Sequence, residues 1–174
     1  MTKEIIIKPY FEFKTVFSAM KSIWISKASN KILLIILLFF TLSLISSLFI
    51  FSGAELIELV NSIKNNPISL LFFAIPFLSY LSIYLNAKNQ LNNYRLKENI
   101  EFIFNKDYFK EKGETFDINH FWDKLYKIKE HKDYFLIYQT KVRANIIPKK
   151  NITSDQYNEL KELFNSIDIK KSLK

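Results

Sequence analysis

His120 and His131 are the only imidazoles in a chain of 174 residues, and there is no cysteine. Set beside Asp117, Asp123 or Glu130, they are the side chains from which an acid–base pair or a metal site would be built. A strand separates the two histidines and their spacing matches no known ligand pattern, so they read as two scattered surface histidines. Glu130 stands among Lys127, Lys129 and Lys132 and reads as half of a cross-strand ion pair rather than a general base. The lack of cysteine excludes a disulfide framework, a thiolate zinc site and a cysteine nucleophile. Gly53 and Gly113 are the only glycines, too few for a phosphate-cradling loop, and no nucleophile elbow or HExxH pattern occurs. The expectation is a protein that is not an enzyme, with no catalytic residue, cofactor or metal.

Charge is the next material. The net charge is +8, and Arg95 and Arg143 are the only arginines among many lysines. That balance suits diffuse attraction to anionic headgroups better than bidentate recognition of phosphates or guanines, so no nucleic acid is expected. Lys149 and Lys150 follow the last expected strand, while Lys106, Lys110 and Lys112 surround the first expected hairpin. A lysine close to an anionic leaflet contributes about 1 kcal/mol. Lys106, Lys110, Lys149 and Lys150 are therefore the candidate contacts to lipid headgroups or to a protein partner. The bland reading of the same residues is a solvated lysine-rich face.

Two uncharged apolar runs must position this charge. Residues 32–51 read ILLIILLFFTLSLISSLFIF, a length that rises roughly 30 Å as a helix and matches a bilayer core. Residues 67–87 read PISLLFFAIPFLSYLSIYLNA, with Pro76 in the middle, where a membrane helix tolerates a kink. A chain this short cannot cover two helices that are apolar on every face, so both are expected to span a membrane. The hydroxyls of Thr41, Ser43, Ser46, Ser47, Ser79 and Ser82 suit helix–helix packing. No ionisable residue marks a transport path. A cleavable leader is not expected, since the first run starts late and is too long for one.

Before the first run, Lys3, Lys8, Lys14, Lys21, Lys27 and Lys31 face only Glu4 and Glu12, and residues 88–174 are also net basic. The loop 52–66 has Lys64 against Glu55 and Glu58. Positive segments stay inside, so both termini are expected in the cytoplasm. Trp24, Tyr80 and Tyr84 are the expected interfacial anchors. Leu56, Leu59, Val60 and Ile63 mark one face of a short outer helix or of a longer first span.

Residues 1–31 are expected to hold a short strand at Glu4–Lys8 and an amphipathic helix along Phe13, Val16, Phe17, Met20 and Trp24. That helix has two open settings, the headgroup layer or the face of the following domain. Residues 96–174 are the segment able to form a soluble domain. Ile100, Phe102 and Phe104 alternate as a strand, Lys112-Gly113-Glu114 is a turn, and 125–132, 133–140 and 143–147 read as strands closed by Pro148. Thr153 and Gln156 form a capping box, with Ile152 stapled to Tyr157. The buried stripe of that helix is Tyr157, Leu160, Leu163, Phe164 and Ile167. The predicted class is an α+β membrane protein: two transmembrane helices, then a small antiparallel sheet closed by a C-terminal helix, similar to a pleckstrin-homology-like half barrel.

The stretch FWDKLYKIKEHKDYFLIYQTKVRANIIPKK, residues 121–150, carries a further likeness. Trp122, Glu130, Tyr134 to Tyr138 and Ile146 to Lys150 resemble the C-terminal domain of the YcxB-like family, and the preceding hairpin and N-terminal strand also fit. The resemblance implies a small bacterial inner-membrane protein with a cytoplasmic sheet domain, and it implies no catalytic residues. The leading expectation is a non-enzymatic anchor for an interaction or regulatory domain. The alternatives are an immunity protein that guards the host membrane against a toxin, or an accessory subunit of a membrane complex. Homo-oligomerisation stays open on the sequence.

Overall fold

The computed structural model describes residues 4–50, 52–65 and 67–174, with the side chains at 44, 47, 48, 59 and 67–73 outside the description. Strand β1 (Ile5–Ile7) opens the chain and five helices follow: α1 (Phe13–Ser26), α2 (Ala28–Ile50), α3 (Gly53–Asn65), α4 (Pro67–Asn92) and the single turn α5 (Tyr94–Lys97). Then come β2 (Glu101–Phe104), β3 (Tyr108–Lys112), β4 (Asp117–Phe121), β5 (Lys127–Glu130), β6 (Tyr134–Tyr138), β7 (Ala144–Pro148), α6 (Ser154–Ser166) and β8 (Lys171–Ser172).

The strands form two four-stranded sheets, not the single half barrel expected from the sequence. The first is antiparallel in the order β1-β2-β3-β4, and β1 enters it through the register Ile5↔Phe104 to Ile7↔Phe102. The second runs β7-β6-β5-β8, with β8 parallel to β5 and the other pairs antiparallel. Strands β4 and β8 were not foreseen. Pro148 is the last residue of β7, opposite Tyr134. It is tolerated there because β7 is an edge strand.

Strand alternation then sorts side chains between two cores. On the inner faces, Ile5, Ile7, Phe102, Phe104 and Phe109 of the first sheet meet Ile128, Phe135, Ile137 and Ile147 of the second. Leu160, Phe164 and Ile167 close that space, with Phe164 edge-on to Phe104 and Phe135. The helix starts as expected, with Thr153 Oγ1 accepting from Gln156 N and Gln156 Oε1 accepting from Thr153 N. On the outer face of the second sheet, Tyr134, Leu136, Tyr138 and Ile146 pack against Val16 and Ala19 of α1 and Ala87 of α4. Every residue of β6 is therefore buried, which explains why Tyr-Phe-Leu-Ile-Tyr is an unbroken apolar run.

Helix α1 thus packs one face, Val16 and Ala19, against the sheet domain, as one of its two open settings has it. Small residues let it approach, and the hydroxyls of Ser22 and Ser18 lie 2.9 and 3.3 Å from the Tyr134 hydroxyl. The C-terminal turns of α4 join the same layer: Ile83 and Ala87 are buried and Leu91 packs beside them. The apolar run expected to end a span at residue 87 therefore ends inside the sheet domain's outer core.

Beyond that layer the helices are bare. Phe39 is 76% exposed, Phe49 86% and Phe77 66%. Among the described residues, no single helix is long and apolar enough to cross a membrane. The pair Phe13–Ser26 with Ala28–Ser43 meets that length and composition together, bent by 88° at Lys27. Of the expected spans, the side chains of Leu44, Ser47 and Leu48, residue Phe51, and the side chains of 67–73 lie outside the described residues, as does the side chain of Leu59.

Candidate functional site

Period two decides the fate of Glu130. In Lys127-Ile128-Lys129-Glu130 the lysines point to the outer face, opposite Tyr138 and Leu136, while Ile128 and Glu130 point inward, opposite Ile137 and Phe135. Glu130 therefore does not pair with Lys127 or Lys129 of its own strand, and the cross-strand ion pair expected of it forms with Lys149. Its side chain is 1% exposed and is met by Lys149 from beyond β7, Nζ to Oε1 2.6 Å. The Tyr157 hydroxyl donates to the same oxygen at 2.6 Å, and the Lys174 backbone N–H donates to Oε2 at 2.7 Å. Lys161 Nζ lies 3.9 Å from Oε2. Burial pushes the Glu130 carboxyl up, but the donors from Lys149, Tyr157 and Lys174 outweigh it and hold the group below its ordinary range. Both oxygens are taken by protein donors, which suits a structural anion and not a proton shuttle.

Both histidines are half-buried and held by neighbouring side chains rather than scattered on an open surface. His120 lies opposite Phe109 in the β3–β4 register and stacks on that ring at 4.5 Å. Its partner is Glu111, Nε2 to Oε1 2.7 Å, while Asp117 pairs instead with Lys110. Asn145 donates to Glu111, and Gln139 donates to Asn145 at 2.9 Å. This closed polar ring stitches the inner face of the first sheet to that of the second. His131 stacks on Tyr134 at 4.7 Å, and its Nε2 is buried without a partner. Burial, then the charges of Lys129, Lys174 and Lys149, lower its pKa. Among the described residues no three His, Asp or Glu side chains converge as a metal would require.

The basic residues fall into three settings. Lys149 is enclosed, 16% exposed, between the rings of Phe135 and Tyr157 at 4.4 and 5.0 Å, and also donates to the His131 carbonyl. Lys150 is exposed but bound to Glu12, and its pKa is raised by that hydrogen bond. These two border a cavity of about 360 Å³ at the start of α1, with Glu12, Lys14, Lys132 and Asp133. Lys110 is tied to Asp117, and Lys106 lines a second hollow together with Glu159 and Glu162 of α6. The third setting is the bend between α1 and α2. There Lys27, Lys127 and Lys141 line a cavity of about 390 Å³ with Ser26, Ser29 and Tyr126, and no carboxylate lines it. Sequence reading missed this group because its members come from three distant segments.

The expected interfacial residues meet at the root of the helices. Tyr80 and Tyr84 pack edge-on against Phe17 and Phe13, at 5.4 and 5.2 Å. Trp24, with Leu34, Leu37, Pro76, Tyr80 and Ile83, lines an almost wholly apolar hollow of about 230 Å³, with Lys21 at its margin.

Residues 104–164, from the end of β2 to the buried stripe of α6, match the protein family described as YcxB-like protein. The stretch 121–150 lies inside that range, whereas β1, the helices α1 to α5 and β8 lie outside it. No curated protein and no solved structure matches the chain.

Proposed function

We propose that this YcxB-like domain is held against the cytoplasmic side of a membrane by α2 and α4, and that the chain works by binding rather than by catalysis. The observation that carries this reading is the exposed apolar surface of the two helices. Ile32, Ile35, Leu38, Phe39, Leu42 and Phe49 on α2, and Phe77, Leu78 and Leu81 on α4, are all open to solvent. Such a surface is far larger than the scattered apolar residues a soluble monomer tolerates. A bilayer is the solvent that suits it.

The 88° bend at Lys27 supports the same arrangement. If α2 runs along the membrane normal, α1 lies in the membrane plane with Trp24, Tyr80 and Tyr84 at headgroup depth and the sheets beneath it. The saturated Glu130 carboxylate and the closed His120 ring favour a scaffold over an active site. The basic segments on either side of the helices support an orientation with both termini inside.

The lack of native cysteine makes the test direct. Asn61→Cys on α3 and Asn158→Cys on α6 are each introduced alone, and intact cells are treated with a membrane-impermeant maleimide. The expected result is labelling of the first in intact cells and of the second only after permeabilisation, with the chain retained in membranes through an alkaline wash. Release of the chain by that wash, or labelling of α6 from outside, overturns the proposal.

A further inference from the structure

We infer that the cavity at the α1–α2 bend, lined by Lys27, Lys127 and Lys141, is a phosphate-anion site that holds the headgroup of an anionic phospholipid. The inference rests on the membrane placement above and gives it a specific ligand at a specific site.

Three observations point the same way. First, the cavity of about 390 Å³ is lined by three lysines together with Ser26, Ser29 and Tyr126, and no acid lines it. Among the described residues none of the three lysines has a carboxylate within ion-pair distance. Elsewhere in the domain Lys110, Lys149 and Lys150 each have one.

Second, the fold brings the three lysine-bearing segments together around one cavity. Lys127 is fixed over the Tyr138 ring at 4.5 Å and over Tyr126 at 5.5 Å. The loop that carries Lys141 is tied to α1 through Ser26 Oγ, which donates to the Lys141 carbonyl at 3.3 Å. Burial, and after it the charges of Lys129, Lys170 and Lys31, lower the Lys127 pKa, so Lys127 stands in a basic neighbourhood.

Third, the position suits a lipid. The bend is where α2 leaves the sheet domain and its apolar stretch begins, immediately after Lys31. Tyr126 and Val142, both exposed, stand at the rim of the cavity. A phosphodiester offers acceptor oxygens to several ammonium groups at once, and its acyl chains would lie along the exposed side of α2. Lysine, as a compact point charge, serves such a headgroup without demanding one bidentate geometry.

The full chain is reconstituted in nanodiscs of phosphatidylcholine that contain phosphatidylglycerol, and the retained lipid is counted by native mass spectrometry. Lys27→Gln with Lys141→Gln is compared with the control pair Lys97→Gln with Lys112→Gln, all four positions being exposed. The expected result is selective retention of phosphatidylglycerol by the wild type and the control, and roughly a 30-fold loss of affinity in the bend variant, as two headgroup lysines imply. Equal retention by all three, or equal loss in both variants, overturns the site. A second arm titrates inorganic phosphate onto the detergent-solubilised chain and reads its thermal stability. Stabilisation that vanishes only in the bend variant, without retained phosphatidylglycerol, overturns the lipid and leaves a site for soluble phosphate. A chain that fails to enter membranes at all refutes the membrane placement, and the phosphate arm then still reads the cavity.

Discussion

The two ends of helix α1 treat lysine in opposite ways. At its start, Lys149 is locked to Glu130 and Lys150 to Glu12, with Asp133 on the same cavity wall. At its finish, Lys27, Lys127 and Lys141 converge with no acid among them. The difference teaches that a count of basic residues does not locate an anion site, because a lysine with a protein carboxylate is already satisfied. The paired end belongs to the fold, where a carboxylate inside an aromatic core needs its cation to remain ionised. The unpaired end has electrostatic work left to do.

The sharpest way to break this comparison is to unpair the first end. Glu130→Ala leaves the enclosed Lys149 ammonium without its counter-ion, and removing one partner of a buried pair costs about 3–5 kcal/mol. Denaturant unfolding of the full chain in detergent should show that loss. A cost below about 1 kcal/mol would mean that the pair behaves as a solvated surface contact. Replacing both partners, Glu130→Ala with Lys149→Met, should recover much of the loss, because no charge is then stranded.

Acid should reach the same end in two stages. The His131 pKa is lowered from 6.5, so the folded state favours the neutral ring and the unfolded chain binds the proton first. Stability contributed by the neutral ring is present above pH 6.5 and falls as the pH drops toward the folded value. Glu130, lowered from 4.5, contributes stability above that value and loses it as pH falls through its own folded pKa. His131→Phe keeps a ring on Tyr134 and should remove the first stage alone. Melting curves across pH 7 to 4 check this, and a variant with an unchanged first stage would assign that stage to another group.

How far the sequence anticipates all this differs between local and distant features. The capping box at Thr153 and Gln156, the α6 stripe and the strands β1, β2, β5, β6 and β7 rest on neighbours in sequence, and they stand where their patterns place them. Strand β4 escaped because Asp-Ile-Asn-His-Phe carries too little apolar alternation, its stability coming from the register with β3. The two-residue β8 is made by pairing with β5 and not by its own residues. The face of Glu130 was within reach of period two, but its partners were not, since they arrive from β7, α6 and the tail of the chain. The lysine group at the bend is the extreme case: it exists because the β6–β7 loop packs onto the end of α1.

The smallest expected effect sharpens the comparison most, because its sign differs between the two ends. Lys141→Gln removes one of three cations that line one cavity and have no acid to lose. In neutral detergent the variant should therefore be as stable as the wild type or slightly more so, a change within about 0.5 kcal/mol. With phosphatidylglycerol present the order should invert, since the wild type gains a ligand that the variant holds less tightly. Lys149→Gln, which empties the paired end, should be destabilised in both media, because Glu130 loses its cation whatever the lipid. Paired melting curves in the two media distinguish these patterns. If Lys141→Gln were destabilised without lipid as well, the cations at the bend would be satisfied by the protein itself and the contrast between the two ends would fail.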